Sequence, residues 1–221
     1  LRAAIRGWKW QTEFWFVVAV VFGPFIARSL WSALNHETVQ MTSASLWRLV
    51  GYELAVGALM LFVLRDRHPT ALRAVQRPSA RDALVGGVLA LVAWLSYTAA
   101  WIGSTLLVPG SIEGLGAAYD MQPHVGYPVV VLVSLVNPVF EEGFLCGYLV
   151  SALASRLGAN AAVAISVSIR LLYHVYQGPI AILSVVPMGA ILALWYLRTR
   201  RIWPPIIAHA CLDGFALLPF A

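Results

Sequence analysis

Seven apolar runs divide this chain, each near the roughly 20 residues that an α-helix needs to cross a bilayer. They extend from Phe14 to Leu34, Leu46 to Leu64, Ala83 to Val108, Tyr127 to Leu153, Ala159 to Tyr176, Ile180 to Leu197 and Trp203 to Phe220. Composition agrees with that reading. The 221 residues are 60% hydrophobic and only 11% charged, against about 25% charged in soluble domains. The expected fold is an all-α polytopic membrane bundle of about seven transmembrane helices.

The charges then set topology. Arg2, Arg6 and Lys9 precede the first run, and Arg65, Arg67, Arg73, Arg77 and Arg81 lie between the second and third. Arg156 follows the fourth, and Arg198, Arg200 and Arg201 follow the sixth. Twelve of the fifteen basic residues therefore fall on one side of a seven-span arrangement, while Glu37, Glu113 and Asp120 fall on the other. The positive-inside rule places the N-terminus in the cytoplasm and the C-terminus outside, in what is expected to be the plasma membrane. Basic stripes of this kind are topology signals, and nucleic-acid binding is not expected. Six of the nine tryptophans, among them Trp8, Trp31 and Trp203, fall near predicted interfaces, as aromatic belts do. Cys146 and Cys211 both lie inside predicted spans and suggest no disulfide framework.

Ionisable groups inside spans are costly and mark function by default. Away from span edges they are Glu53, Glu141, Glu142, Arg170, His174, His209 and Asp213. All but Glu53 sit in the last four spans, which divides the single membrane domain into a scaffold, residues 1–126, and a core, residues 127–221. Residues four apart share a helix face. Asn137 and Glu141, Glu142 and Cys146, Arg170 and His174, and His209 and Asp213 all have that spacing. These faces are expected to turn toward one another and enclose a polar pocket, because lipid would leave them unsatisfied. A glutamate beside a histidine can activate water, and a histidine beside an aspartate can polarise a carbonyl. The residue types at Glu141, His174 and His209 also suit a divalent metal such as zinc. Glu53, alone in its span, is expected to be structural, paired with Arg48.

"EEGFLCGYL", "RLLYH" and "HACLD", in that order within four spans, resemble the motifs of the CAAX protease and bacteriocin-processing (CPBP, or Abi) family of intramembrane endopeptidases. The resemblance covers roughly Tyr127 to the end of the chain. It implies that Glu141 activates water with His174 as partner, that His209 and Asp213 polarise the substrate carbonyl, and that Glu142 supports them. It also implies a membrane-associated peptide or protein substrate. Two positions depart from the pattern. Cys146 stands where the first motif has arginine, and Arg170 stands where the second has phenylalanine. We expect the departures to be linked, with Arg170 supplying from a neighbouring helix the charge that Cys146 lacks. Asn137 and Arg170 are thus supporting residues. Two other classes fit the same residues: a non-catalytic adaptor that retains the fold and binds a protein partner in the membrane, and a proton-coupled transporter.

Overall fold

The computed structural model describes residues 7–65, 67, 77–107, 119–122 and 124–221. Arg2, Arg6, Arg73 and Glu113, used above for topology, lie outside them. Nine α-helices are named here in chain order. They are α1 (Trp10–Val21), α2 (Gly23–Leu34), α3 (Ser43–Leu64), α4 (Ala80–Leu107), α5 (Tyr127–Glu142), α6 (Ser151–Leu157), α7 (Ala159–Leu172), α8 (Ile180–Thr199) and α9 (Trp203–Leu217). The fold is an all-α polytopic membrane bundle. Among the described residues four stretches are long and apolar enough to cross a bilayer: α3, α4, Tyr127–Leu157 and α8. Counting α1 and α2 as one bent span makes five. The remaining two predicted spans are α7 and α9, with 14 and 15 residues. They are shorter than a full crossing requires, so the predicted count of seven is not reached by length.

The first predicted span is bent by 57° where α1 meets α2. The cause is local. Pro24, in the first turn of α2, has no N–H to donate to the carbonyl four residues back. That carbonyl belongs to Val20, and it instead accepts the Tyr52 hydroxyl of α3 at 2.6 Å. In α4, Ser96, Thr98 and Ser104 hydroxyls donate to carbonyls four residues earlier, so polar side chains on a largely lipid-facing helix stay satisfied.

Contacts between loops sort them onto two ends. At one end Arg67 bonds the Trp8 carbonyl and pairs with Glu13, whose other oxygen accepts the Tyr148 hydroxyl. At the same end Arg156 lies over Trp10, Arg200 donates to Ser151, and Arg201 grips Asp82 through two nitrogens. At the other end two short strands, β1 (Val39–Met41) and β2 (Tyr119–Met121), pair in parallel with Val39 opposite Tyr119. The Val125 N–H donates there to the Phe220 carbonyl. Arg67, Arg156, Arg200 and Arg201 thus gather at one end, in keeping with the charge pattern. The strand pair was not anticipated, since three residues carry too little periodicity to reveal a strand.

The core lies where α1, α3, α5 and α7 meet. Val17, Phe22, Met60, Leu145, Leu149 and Leu153 are almost fully buried there. The helix that begins as α5 changes winding within this core. Pro138 interrupts its hydrogen-bond ladder, and Gly143–Val150 adopts the wider i to i+5 winding of a π-helix before α6 resumes the α form. Such segments are uncommon and concentrate at functional sites. The Leu145 carbonyl within it accepts from Ser166 of α7 at 3.2 Å.

Candidate active site

Glu141 and Glu142 occupy the last two positions of α5, immediately before the π-helix. Both are buried, Glu142 completely. Consecutive helical residues point in different directions, so each finds its own partners. Glu142 Oε1 accepts from Arg170 Nη2 at 2.5 Å and faces His209 Nδ1 at 2.8 Å. Its Oε2 accepts a weak bond from the Cys146 thiol at 3.2 Å. Glu141 Oε2 accepts from the Tyr173 hydroxyl at 2.5 Å and from Arg170 Nη1 at 3.3 Å. Its Oε1 accepts from the Asn137 amide at 3.1 Å.

Arg170 is therefore the cation that lets two adjacent carboxylates share a low-dielectric interior. It is 1% exposed, comes from α7, and reaches one carboxylate with each terminal nitrogen. The planar fork of a guanidinium suits that double task, whereas an ammonium would act as one point charge. Room for it comes from α8. A Cβ on Gly189 would stand 3.2 Å from Arg170 Cδ and 3.3 Å from its Nε, so the absent side chain lets the arginine stem pass.

The expected pairing of Arg170 and His174 on one helix face is corrected by the structure. α7 ends at Leu172, and His174 lies in the following turn, just before a 3₁₀ turn at Val175–Gln177 and Gly178 with φ +73°. His174 still looks back at the helix. Its Nδ1 lies 2.9 Å from the Arg170 carbonyl. A carbonyl can only accept, so Nδ1 carries the hydrogen and donates, which leaves the lone pair on Nε2. His174 stands within electrostatic reach of Glu141. Breaking the helix after Leu172 thus turns the imidazole into the site and leaves one nitrogen open as a base.

His209 reaches the site from α9. Nδ1 faces Glu142, and Nε2 lies 3.5 Å from Asp213 Oδ1 one turn further on. The other Asp213 oxygen, Oδ2, is buried without a hydrogen-bond partner among the described residues. All seven residues singled out for the site therefore gather in one region.

Two further residues join them. Tyr173 lies 32 positions from Glu141, so no helical spacing links the two. Its ring stacks on Phe22 at 5.4 Å, which fixes the hydroxyl against Glu141. Glu53 is the second. Its Oε1 accepts from the Asn137 amide at 2.7 Å, in place of the expected pairing with Arg48. A lone carboxylate in a span is a signal in itself, but its partner lies 84 positions away, where no spacing rule reaches.

The arrangement bears on a metal. Among the described residues no group of three His, Cys, Asp or Glu side chains is placed to hold an ion. Two of the three residues named for a metal, Glu141 and His209, already have polar partners. Glu141 is held by Arg170, Tyr173 and Asn137. His209 faces a carboxylate from each nitrogen, and a nitrogen donating to a carboxylate has no lone pair for a metal.

Residues 123–215 match the family model described as type II CAAX prenyl endopeptidase Rce1-like. The matched segment runs through α5 to α9 and holds every residue of the cluster except Glu53. No curated protein and no solved structure matches the chain.

Proposed function

We propose, from the match of residues 123–215 to the type II CAAX prenyl endopeptidase Rce1-like model, that this protein is an intramembrane endopeptidase acting on a membrane-associated peptide or protein. The observation that carries this reading is the pair Glu141 and His174. A carboxylate fixed by three donors and an imidazole with Nε2 open lie within electrostatic reach of each other in a buried site.

Glu141 Oε1 accepts one bond, from Asn137, and keeps capacity for a water. In this mechanism a water between Glu141 and His174 Nε2 gives up a proton as its oxygen adds to the scissile carbonyl carbon. His209 stabilises the oxyanion that develops. Its Nδ1 is committed to Glu142 at 2.8 Å, but Nε2 is held only by the 3.5 Å contact to Asp213 and can turn to a carbonyl oxygen. Arg170 and Glu142 hold this framework in place. Arg170 fills the charge role of the arginine that the family motif has at Cys146, so the departure at Cys146 leaves the site balanced.

The test uses purified protein in detergent or nanodiscs with a quenched fluorescent peptide carrying a prenylated cysteine and three C-terminal residues. Wild type is expected to cleave it, and His174→Ala to lose at least about 10²-fold in rate. An inert wild type that binds a membrane protein partner, with binding unaffected by Glu141→Ala, would instead support an adaptor.

A further inference from the structure

Among the described residues four carboxyl groups gather in this site, and three face a basic side chain. Glu141 and Glu142 share Arg170, and Asp213 faces His209. Glu53, contributed by α3 from outside the family-matched segment, differs. It is 2% exposed, and among the described residues its one hydrogen-bond partner is the neutral amide of Asn137. Its second oxygen, Oε2, is buried and receives no hydrogen bond from the described residues. It stands within electrostatic reach of Glu141, Asp213 and His209.

An ionised carboxylate in that position would be a buried charge with no cation bonded to it and with two carboxylates as well as His209 within reach. A carboxylic acid would not. Its carbonyl oxygen accepts from Asn137, and its O–H is available to a group entering the site. Asn137 tells the same story. Its single nitrogen donates to both Glu53 at 2.7 Å and Glu141 at 3.1 Å, using its two hydrogens. One amide thereby ties an acid that holds a proton to a carboxylate that takes one. Peptide hydrolysis needs both, because an amide nitrogen leaves only when it is protonated.

The geometry points to Glu53 as the general acid that protonates the leaving nitrogen. This rests on the endopeptidase reading above. The step balances as follows. Water adds its oxygen to the carbonyl carbon and its proton goes to Glu141. The carbon–nitrogen bond breaks, and the nitrogen takes the proton from Glu53. The products are a new carboxyl terminus and a new amine, with Glu53 ionised and Glu141 protonated. Glu141 releases its proton to water and Glu53 regains one, which restores the starting state.

The experiment compares two prenylated-cysteine probes that differ at the scissile bond, a peptide amide and the corresponding depsipeptide ester. An ester leaving group needs far less help from an acid. Glu53→Gln retains the oxygen that Asn137 bonds and removes the transferable proton. It is expected to slow amide cleavage by about 10²-fold or more while leaving ester cleavage within several-fold of wild type. Equal loss on both probes would overturn the assignment, since Glu53 would then act only by positioning Asn137. No loss on either would overturn it as well. Wild type that cleaves neither probe defeats the endopeptidase reading and this inference with it. Glu53→Asp, which retains an acid at shorter reach, is expected to recover part of the amide rate. If Glu53→Gln fails to fold, Glu53→Asp carries the test alone, and an amide-to-ester rate ratio equal to that of wild type overturns the inference.

Discussion

Arg170 is the residue on which the site depends. Removing one member of a buried, hydrogen-bonded ion cluster leaves the others uncompensated, at a cost of about 3–5 kcal/mol. Arg170→Gln is expected to lower stability by that order in thermal unfolding of the detergent-solubilised protein, and to abolish cleavage. Unchanged stability and activity would show that the charge lost at Cys146 was never replaced. Gly189→Ala perturbs the same arginine more gently. Its new methyl presses on the Arg170 stem, so a loss of about 1–3 kcal/mol is expected, with activity falling as the guanidinium shifts. Tyr173→Phe removes one donor from Glu141 and is expected to cost about 1 kcal/mol, with a measurable drop in kcat.

At the scale of elements, the chain is interrupted where the site needs it. Pro24, the π-helix at Gly143–Val150 and the break between α7 and α8 each depart from regular helix. The hydrophobic runs were legible because burial in lipid imposes long apolar stretches on the sequence. So were Glu141, Glu142, His209 and Asp213, whose cost in lipid makes them conspicuous. The interruptions were less so. Gly178-Pro179 marks the break after the 3₁₀ turn, but nothing in "RLLYH" shows that the helix stops two residues before His174. Tyr173 and Glu53 join the site only through contacts far apart in sequence. The bend between α1 and α2 makes an independent prediction. Tyr52→Phe leaves the Val20 carbonyl without the donor that replaced the missing Pro24 N–H. A part-buried carbonyl left without that donor costs up to about 1 kcal/mol, and the unfolding temperature should fall while the Glu141 site stays intact.

For the whole molecule, the bundle joins its N-terminal and C-terminal parts rather than keeping them separate. Glu53 of α3 bonds Asn137 of α5, and Gly86 of α4 packs against Ile207 of α9, where a Cβ would come within 2.7 Å. The scaffold expected from residues 1–126 therefore contributes to the site it surrounds. The described residues at the two ends of the bundle also differ in charge, and the positive-inside rule predicts that the basic end faces the cytoplasm. In intact cells, a cysteine introduced at Arg77 is expected to resist a membrane-impermeant thiol reagent, while one at His124 reacts. The reverse pattern would invert the orientation.

The account as a whole rests on Glu141 as the base that activates water. Glu141→Gln keeps the side chain's size and an acceptor oxygen but removes its capacity to take a proton. Single-turnover cleavage of the prenylated peptide by purified protein, with unfolding followed in parallel, measures this directly. The expected result is loss of cleavage by at least about 10²-fold with the fold retained. Cleavage at the wild-type rate by a folded Glu141→Gln protein would contradict the mechanism.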